Sequence, residues 1–208
     1  MITLKSNKAS VPIQVRCADS IGTQGQWLAD TVASFEGTGR GLADGESVEI
    51  GWINFHLRKQ PDGSLLVCEP DFASDPFKAV SEDVSRSLTV LTAQIDLLRV
   101  VDLKAEPCRF DQTLVVRSGT LDQRNVFARR QQPSGRDSGW YLGPTDTPFA
   151  RPAPSELKAI PLYSLMNRRP QILLALALPV GCMVVWDGPQ IAALLNPEGR
   201  NLWHTPTN

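Results

Sequence analysis

The side chains that could carry out catalysis are few and widely spaced in this chain of 208 residues. A serine nucleophile needs a base held close to it, yet the chain has only two histidines, His56 and His204. The other candidates are one serine and three carboxylates: Ser138, Glu69, Asp71 and Asp137. Since no spacing brings these groups together, we expect a protein that binds a partner rather than an enzyme. A hydrolase or transferase built from residues that meet only in the fold is the less favoured alternative.

The spacing of the cysteines predicts no metal site. Structural zinc sites use closely spaced pairs of cysteine or histidine, whereas these cysteines lie far apart: Cys17, Cys68, Cys108 and Cys182. No cofactor is predicted either, because the glycines at 37–45 follow a predicted helix and a phosphate-binding loop precedes one. We expect four buried thiols in a reducing cytoplasm, with two disulfides as the alternative for an exported protein.

Charge and hydropathy exclude two classes of partner. The formal net charge is −1, with 21 basic and 22 acidic residues, so no overall positive field attracts nucleic acid. The longest apolar stretch, residues 172–186, is interrupted by Pro179 and Gly181 and is shorter than the about 20 residues that span a bilayer. The N-terminus has no apolar core of the length that a secretory signal requires. We therefore expect neither a nucleic-acid partner nor a membrane partner.

The first half of the chain is expected to mix strands and helices. Residues 11–15 alternate as a strand does, and residues 27–35 have helical spacing. Residues 48–57 are predicted to form one outgoing strand, which contains His56 and returns through residues 64–68 after a turn at Pro61-Asp62-Gly63. A long amphipathic helix follows, with Glu82 and Asp83 expected in its first turn. Its predicted buried stripe is Val84, Leu88, Leu91, Ile95 and Leu98. Its predicted solvated face includes Arg86, Ser87, Gln94 and Arg99.

The segment before this helix, residues 69–77, is acidic and carries two aromatic side chains. Its carboxylates, Glu69, Asp71 and Asp75, could meet a basic partner, because exposed loops on a rigid scaffold commonly carry recognition. The two aromatics, Phe72 and Phe77, are expected to pack beneath the helix that follows.

The second half has short strands and turns. Strands are predicted at 113–116, 125–128 and 181–186, and a polar loop at 131–139 leads to Trp140 and Tyr141. Residues 143–161 contain several prolines and are expected to lack regular structure for much of their length. Arg136, Asp137 and Trp140 are predicted as a second set of partner contacts. The chain is thus expected to be α+β, with two packed α+β units at 1–108 and 109–208, mainly antiparallel sheets and a long amphipathic helix.

The C-terminal half, from about Phe110 to Trp203, resembles the immunity protein 33 domain family of bacterial polymorphic toxin systems. Five pieces carry the resemblance: Val115-Val116, the loop at 129–137, Asp137-Ser138-Gly139-Trp140, Ile160-Pro161-Leu162 and Leu178-Pro179-Val180-Gly181-Cys182. Asp-Ser-Gly-Trp followed by Pro-x-Gly before a last strand is a moderately specific combination. The N-terminal half carries no motif that we assign.

This resemblance implies a cytoplasmic antitoxin that binds one cognate toxin, such as a nuclease delivered by type VI secretion, and occludes its active site. Such a protein needs no cofactor, no metal and no catalysis. An adaptor that loads an effector onto its delivery machine has the same sequence features and stays as the alternative. No oligomeric state is predicted.

Overall fold

The computed structural model of the chain describes residues 1–38, 41–146 and 152–203. Contacts between residues divide the chain into two compact units, Met1–Thr92 and Ala93–Asn208. The division falls within a helix, and the boundary predicted from the sequence, after residue 108, follows that helix. Each unit contains a mainly antiparallel sheet and at least one helix, so the predicted α+β class is confirmed.

The described part of the N-terminal unit contains one complete α-helix and six strands, with short 3-10 turns at Asp19–Ile21 and Phe35–Thr38. The helix and strands are β1 (Ile2–Ser6), β2 (Ile13–Cys17), α1 (Gly22–Ser34), β3 (Ser47–Ile50), β4 (Ile53–Lys59), β5 (Leu65–Pro70) and β6 (Val80–Ser81). Five strands lie in the order β1-β2-β5-β4-β3, and β6 pairs with β5. The strand pairs are antiparallel except for β2 with β5. Every residue of β5 is buried, so this strand lies at the centre of the N-terminal core.

The segment predicted as a single outgoing strand, residues 48–57, is two strands joined by a tight turn. β3 pairs with β4 in an antiparallel register that ends at Ile50 and Ile53. Gly51, between these strands, has a φ of 61°. The prediction of one strand was wrong because the apolar run continues through the turn, where Trp52 is itself buried. Hydrophobic periodicity therefore contains no signal of the reversal.

The long amphipathic helix is α2 (Ser85–Val101), and the sequence predicted its existence correctly. Its N-terminus is capped by Asp83, whose carboxylate accepts a hydrogen bond from the Ser85 N–H at 3.0 Å. Glu82 and Asp83 therefore precede the helix instead of forming its first turn. The capping aspartate satisfies one of the N–H groups that every helix leaves unpaired at its start.

The buried face of α2 differs in part from the predicted stripe. Val84, Leu88, Leu91 and Leu98 are buried, but Ile95 is 36% exposed. The expected solvated face was wrong for two residues, since Ser87 and Gln94 are both buried. Gln94 donates its side-chain N–H to the Leu173 carbonyl at 2.7 Å. A polar side chain with such a partner can be buried at little cost, and helical periodicity does not reveal the partner.

The C-terminal unit has a second sheet. Its elements after α2 are β7 (Thr113–Arg117), β8 (Asn125–Arg130), β9 (Asp137–Pro144), β10 (Leu157–Pro161), α3 (Leu165–Arg168), α4 (Pro170–Leu173), β11 (Met183–Asp187) and β12 (Gln190–Leu195). The strand order is β10-β7-β9-β8-β11-β12, and only β7 with β9 is parallel among these pairs. Residues 143–161 were expected to lack regular structure for much of their length; their last five residues form β10, which pairs with β7 along its whole length. Residues 147–151 of this segment lie outside the described residues.

All four cysteines are free and buried, as the sequence predicted: Cys17, Cys68, Cys108 and Cys182. Burial raises the pKa of each thiol, to about 11 for Cys68 and Cys182, so the uncharged form is favoured. Over the described residues, no helix has both the length and the apolar composition needed to cross a bilayer.

Candidate partner-binding surface

The acidic loop, residues 71–79, connects β5 to β6 and is built by its own carboxylates. A hydrogen bond from the Asp71 N–H to the Ala79 carbonyl closes its base at 2.9 Å. The Asp71 carboxylate accepts from the Ser74 hydroxyl at 2.6 Å and from the Ala73 N–H at 2.9 Å. These bonds, with the Ser74 hydroxyl contributing most, lower the pKa of Asp71. The aspartate is therefore charged at neutral pH while it holds the turn.

Asp75 organises the second half of the acidic loop in the same way. It accepts from the Phe77 N–H at 3.0 Å and pairs with the Lys78 ammonium at 3.2 Å. These contacts lower the pKa of Asp75, and the hydrogen bond from the Phe77 N–H contributes most. The two aromatics have different positions: Phe72 is buried and stacks on Trp52 with ring centroids 5.9 Å apart, whereas Phe77 is 57% exposed. The expectation that both rings pack beneath the helix was thus wrong for Phe77.

Glu69, the third predicted carboxylate, lies on β5 and is only 2% exposed. Its carboxylate accepts a hydrogen bond from the Ser87 N–H, near the start of α2, at 2.8 Å. Burial raises the pKa of Glu69 from the ordinary 4.5 to about 7. The hydrogen bonds from Ser87 and the charge of Arg86 lower this pKa, and the charge of Asp83 raises it further. In this conformation Glu69 presents almost no surface to a partner, and it connects the acidic loop's supporting strand to α2.

We expect Glu69→Gln to remove a pH dependence of folding. Between pH 4.5 and about 7 the unfolded chain loses the Glu69 proton while the folded chain keeps it, so stability falls as the pH rises through this window. Above that window the wild type carries the full penalty, at most about 3 kcal/mol for this shift. Glutamine still accepts the Ser87 N–H but does not ionise. Urea unfolding at pH 5 and pH 8 should show the variant gaining stability relative to wild type at the higher pH.

Glu46→Gln is the matched control, because it makes the same change at an exposed side chain. Its unfolding free energy should follow the wild-type pH dependence. An equal pH dependence in Glu69→Gln and wild type would show that the buried carboxyl does not titrate in this range.

The polar turn, residues 131–136, connects β8 to β9 and is tightly hydrogen-bonded. Ser134 and Asp137 exchange two main-chain hydrogen bonds, of 3.0 and 2.9 Å, around the two residues Gly135 and Arg136. Gly135 has a φ of 58°, as expected for glycine at the first central position of a two-residue hairpin turn. The Arg136 carbonyl accepts the Thr113 N–H at 2.8 Å, which joins the turn to β7.

Two predicted contact residues lie at this turn. Arg136 is exposed, and its guanidinium reaches the Asp111 carbonyl at 3.4 Å. Asp137 is partly exposed, and its carboxylate accepts the Gly139 N–H at 2.9 Å. The main chain is thus fixed, while the Arg136 side chain projects from it. This is the type of site that can present a charge to a partner at a low entropic cost.

Trp140, the remaining predicted contact, is 1% exposed in the core of the C-terminal unit. The guanidinium of Arg130 lies 5.9 Å from the centroid of its ring and donates to the carbonyls of Glu106 and Leu178. Trp140 therefore supports the strands that hold the polar turn, and it has no exposed surface to offer in this conformation.

Arg130 is buried, which was not predicted, although the strand pattern of β8 contains a signal for it. Val126, Ala128 and Arg130 alternate along β8 with Phe127 and Arg129, and side chains alternate between the two faces of a strand. Two adjacent arginines on a strand must therefore face opposite ways. Arg130 is 4% exposed, whereas Arg129 is exposed.

The candidates for catalysis have structural roles where they are described. The Ser138 hydroxyl is buried and donates to the Thr113 carbonyl at 2.7 Å. His56 is half-buried in β4, and burial, together with the charge of Arg58, lowers its pKa. His204 lies outside the described residues. Within the ranges 1–38, 41–146 and 152–203, no group of three or more histidine, cysteine or acidic residues is placed to hold a metal ion.

Comparison with known proteins identifies the family. The model of the Imm33-like domain matches residues 93–197, which is 105 of the 208 residues and nearly all of the described C-terminal unit. No curated protein and no solved structure matches the chain. The matched range contains every piece on which the resemblance to immunity protein 33 rests, so that resemblance is confirmed. The chain belongs to the Imm33-like domain family.

Proposed function

We propose that this protein is an immunity protein, an antitoxin that binds a cognate bacterial toxin and neutralises it. The match of residues 93–197 to the Imm33-like domain is the observation that carries this proposal. An immunity protein acts by burying part of another protein's surface and needs no catalytic residues. The buried Ser138 hydroxyl, bonded to a main-chain carbonyl, is consistent with a function in binding.

The toxin that we propose is an effector enzyme, such as a nuclease delivered by type VI secretion, and the complex forms in the cytoplasm. Binding occludes the active site of the toxin. In such interfaces a few aromatic and arginine side chains at the centre contribute most of the affinity, and surrounding charges mainly set the association rate and the choice of partner.

The contact residues that we propose lie on the acidic loop, on the polar turn and at the first residue of β9. Asp71, Asp75, Arg136 and Asp137 have side-chain surface available for contact. Glu69 and Trp140 are buried behind these segments, so their contribution to binding is to hold the segments in place. Because Asp71 and Asp75 also fold the acidic loop, their charges occupy fixed positions before any partner arrives.

The test of the proposed function uses the product of the neighbouring reading frame as the toxin. Isothermal titration of this chain against a catalytically inactive form of that protein is expected to show tight binding. Cells that express the active toxin are expected to survive only when this chain is present. The proposal is wrong if the two proteins do not bind and the chain gives no protection. Binding without protection would instead indicate an adaptor.

Removing the charge of the acidic loop should slow association with the toxin. The double variant Asp71→Asn/Asp75→Asn keeps an acceptor oxygen for the N–H groups of Ala73 and Phe77 but loses two negative charges. We expect an association rate about tenfold lower at low ionic strength, with a much smaller change in dissociation rate, because charge complementarity acts mainly on encounter. Stopped-flow or surface plasmon resonance measurements would determine both rates.

A second double variant, Asp102→Asn/Asp122→Asn, controls for net charge. Both aspartates are exposed and lie outside the acidic loop, so this variant should associate as the wild type does. Equal association rates for the two double variants would remove the acidic loop from the proposed contact surface.

A further inference from the structure

The six-stranded sheet of the C-terminal unit has one face that is buried across its central strands and one face that is partly exposed. Leu114, Trp140, Leu142, Ala128 and Val184 lie on the buried face, where each is at most 1% exposed. Residues at the alternate positions of the same strands point the other way, because successive side chains of a strand alternate between faces. These residues are only partly covered, with the exception of Phe127 and the glycines.

One row of residues crosses five strands on the partly exposed face. Val115 is the register partner of Tyr141, Tyr141 of Arg129, Arg129 of Met183, and Met183 of Leu195. We call this row, together with Phe127, the outer face. Its apolar side chains other than Phe127 are partly exposed, and the row contains a single charge, Arg129. A soluble domain more commonly places polar side chains on the exposed side of a sheet.

Tyr141 has a fixed position on the outer face because the next residue of β9 on the same face, Gly143, is a glycine. A Cβ atom at Gly143 would lie 2.9 Å from both Cε1 and the hydroxyl of Tyr141, and 3.1 Å from Cε1 of Phe127. The absence of that atom lets the Tyr141 ring lie across Gly143 against Phe127, with ring centroids 5.8 Å apart. A tyrosine held in this way offers a rigid, amphipathic contact area at a low cost in conformational entropy.

Arg129 lies between Tyr141 and Met183 and is exposed. No hydrogen bond or ion pair of its side chain is found among the residues that the structure describes. Its neighbours differ, since Arg117 pairs with Glu156 at 3.0 Å and Arg124 with Asp187 at 2.7 Å. The outer face therefore presents one available positive charge between Tyr141 and Met183, and Arg117, paired with Glu156, lies two residues along β7 from Val115 on the same side.

This combination favours a protein surface that places a carboxylate among apolar groups over other occupants. A two-fold contact with a second copy, centred on this row, would bring two unpaired Arg129 side chains together. Nucleic acid is disfavoured as well, since it requires several cations to neutralise its phosphates. A partner that carries a carboxylate opposite Arg129 and apolar groups opposite Tyr141 matches both features, and tyrosine and arginine are enriched at the centres of protein interfaces.

We propose that the outer face is a further surface that binds the cognate toxin, with a toxin carboxylate against Arg129 and an apolar toxin side chain against Tyr141 and Val115. This inference rests on the proposed immunity function and gives it a central contact. The acidic loop then steers encounter, whereas the outer face determines how long the complex lasts.

Two variants test the outer face by different routes. Arg129→Glu reverses the available charge at an exposed position, and we expect it to weaken binding of the inactivated toxin at least about 30-fold, as loss of a central contact does. Gly143→Ala leaves every charge in place but displaces the Tyr141 ring, and we expect about tenfold weaker binding. The probe in both titrations is the product of the neighbouring reading frame in its inactive form.

Matched controls separate the surface from general effects. Lys104→Glu makes the same charge change in the exposed segment between α2 and β7, and Gly37→Ala adds a methyl group where nothing lies within 4 Å. Both controls should bind within about threefold of wild type, as expected for sites away from an interface. Circular dichroism should show that Arg129→Glu is folded, so that its result stands even if Gly143→Ala is unstable.

The outcomes distinguish this inference from the proposed function. If Arg129→Glu binds the toxin as tightly as the wild type does, the proposal that the outer face binds the toxin is wrong, but the proposed immunity function is not contradicted. A wild-type protein that neither binds the toxin nor protects cells would overturn both. Sedimentation that shows a dimer, dissociated by Arg129→Glu, would assign the surface to a second copy and overturn the inference.

Discussion

Replacement of Gly139 by alanine is expected to lower the free energy of unfolding of the C-terminal unit by about 4 kcal/mol or more, which is exceptional for a single methyl group. Gly139 has a φ of 79°, in the left-handed region that other residues avoid. An added Cβ would also lie 2.1 Å from the Gln131 carbonyl oxygen and 2.9 Å from its carbon. The main chain must move to relieve this contact, which disrupts the hydrogen bond from the Gln131 N–H to the Gly139 carbonyl.

Gly135→Ala separates the two causes of this loss. Gly135 also has a positive φ, 58°, but an added Cβ would meet nothing within 4 Å. This variant should therefore lose only the conformational cost, about 1 to 2 kcal/mol. Urea unfolding followed by tryptophan fluorescence measures both variants. Losses that agree within about 1 kcal/mol would show that the contact with Gln131 is relieved at little cost, contrary to our expectation.

Replacement of Arg130 by methionine is expected to cost about 2 to 4 kcal/mol, although methionine is a good core residue. The Arg130 guanidinium donates to the carbonyls of Glu106 and Leu178 and lies over the Trp140 ring. Methionine has similar length but no donor, so the part-buried Glu106 carbonyl and the buried Leu178 carbonyl lose this partner. A buried acceptor that loses its partner costs about 1 to 3 kcal/mol.

Arg129→Met is the matched control at the next position on the same strand. Arg129 is exposed on the opposite face of β8, and its loss should change the unfolding free energy by less than about 0.5 kcal/mol. Chemical unfolding of both variants at one pH gives the comparison. Equal stability of Arg130→Met and wild type would mean that solvent replaces the lost donor. Arg129→Met should weaken toxin binding even though it does not change stability.

The contacts of Asp137-Ser138-Gly139-Trp140 explain why this segment carries the family resemblance. Asp137 accepts the Gly139 N–H, Ser138 donates to Thr113 on β7, and Trp140 lies beneath Arg130. Each residue of the motif thus has a packing or hydrogen-bonding role within the C-terminal unit. The motif therefore maintains the scaffold of the C-terminal unit.

Several elements could be predicted because their signals are local. Proline, aspartate and glycine at 61–63 form the expected turn, in which Gly63 has a φ of 84°. The alternating strands β7, β8 and β11 and the amphipathic α2 follow from spacing alone. The family could be recognised for a related reason, since the motif that identifies it is short and continuous.

Of the three proposed contact regions, the acidic loop and the polar turn were partly predictable from the sequence, and the outer face was not. The acidic loop and the polar turn could be found as polar, turn-rich segments, but their sequence does not show that Asp71 and Asp75 are bonded within the loop. The outer face could not be found at all. It consists of residues from five strands whose order in the sheet is not their order in the chain.

The sequence by itself therefore determined the α+β class, the long helix, the buried thiols and the family. The tertiary structure alone decided which polar side chains are buried. Glu69 can be buried because the Ser87 N–H donates to it, and Gln94 can be buried because the Leu173 carbonyl accepts from it. Arg130 can be buried because it donates to the carbonyls of Glu106 and Leu178. Burial of a polar group is favourable only when a partner is present. Those partners lie 18 to 79 residues away along the chain, beyond the reach of any local pattern.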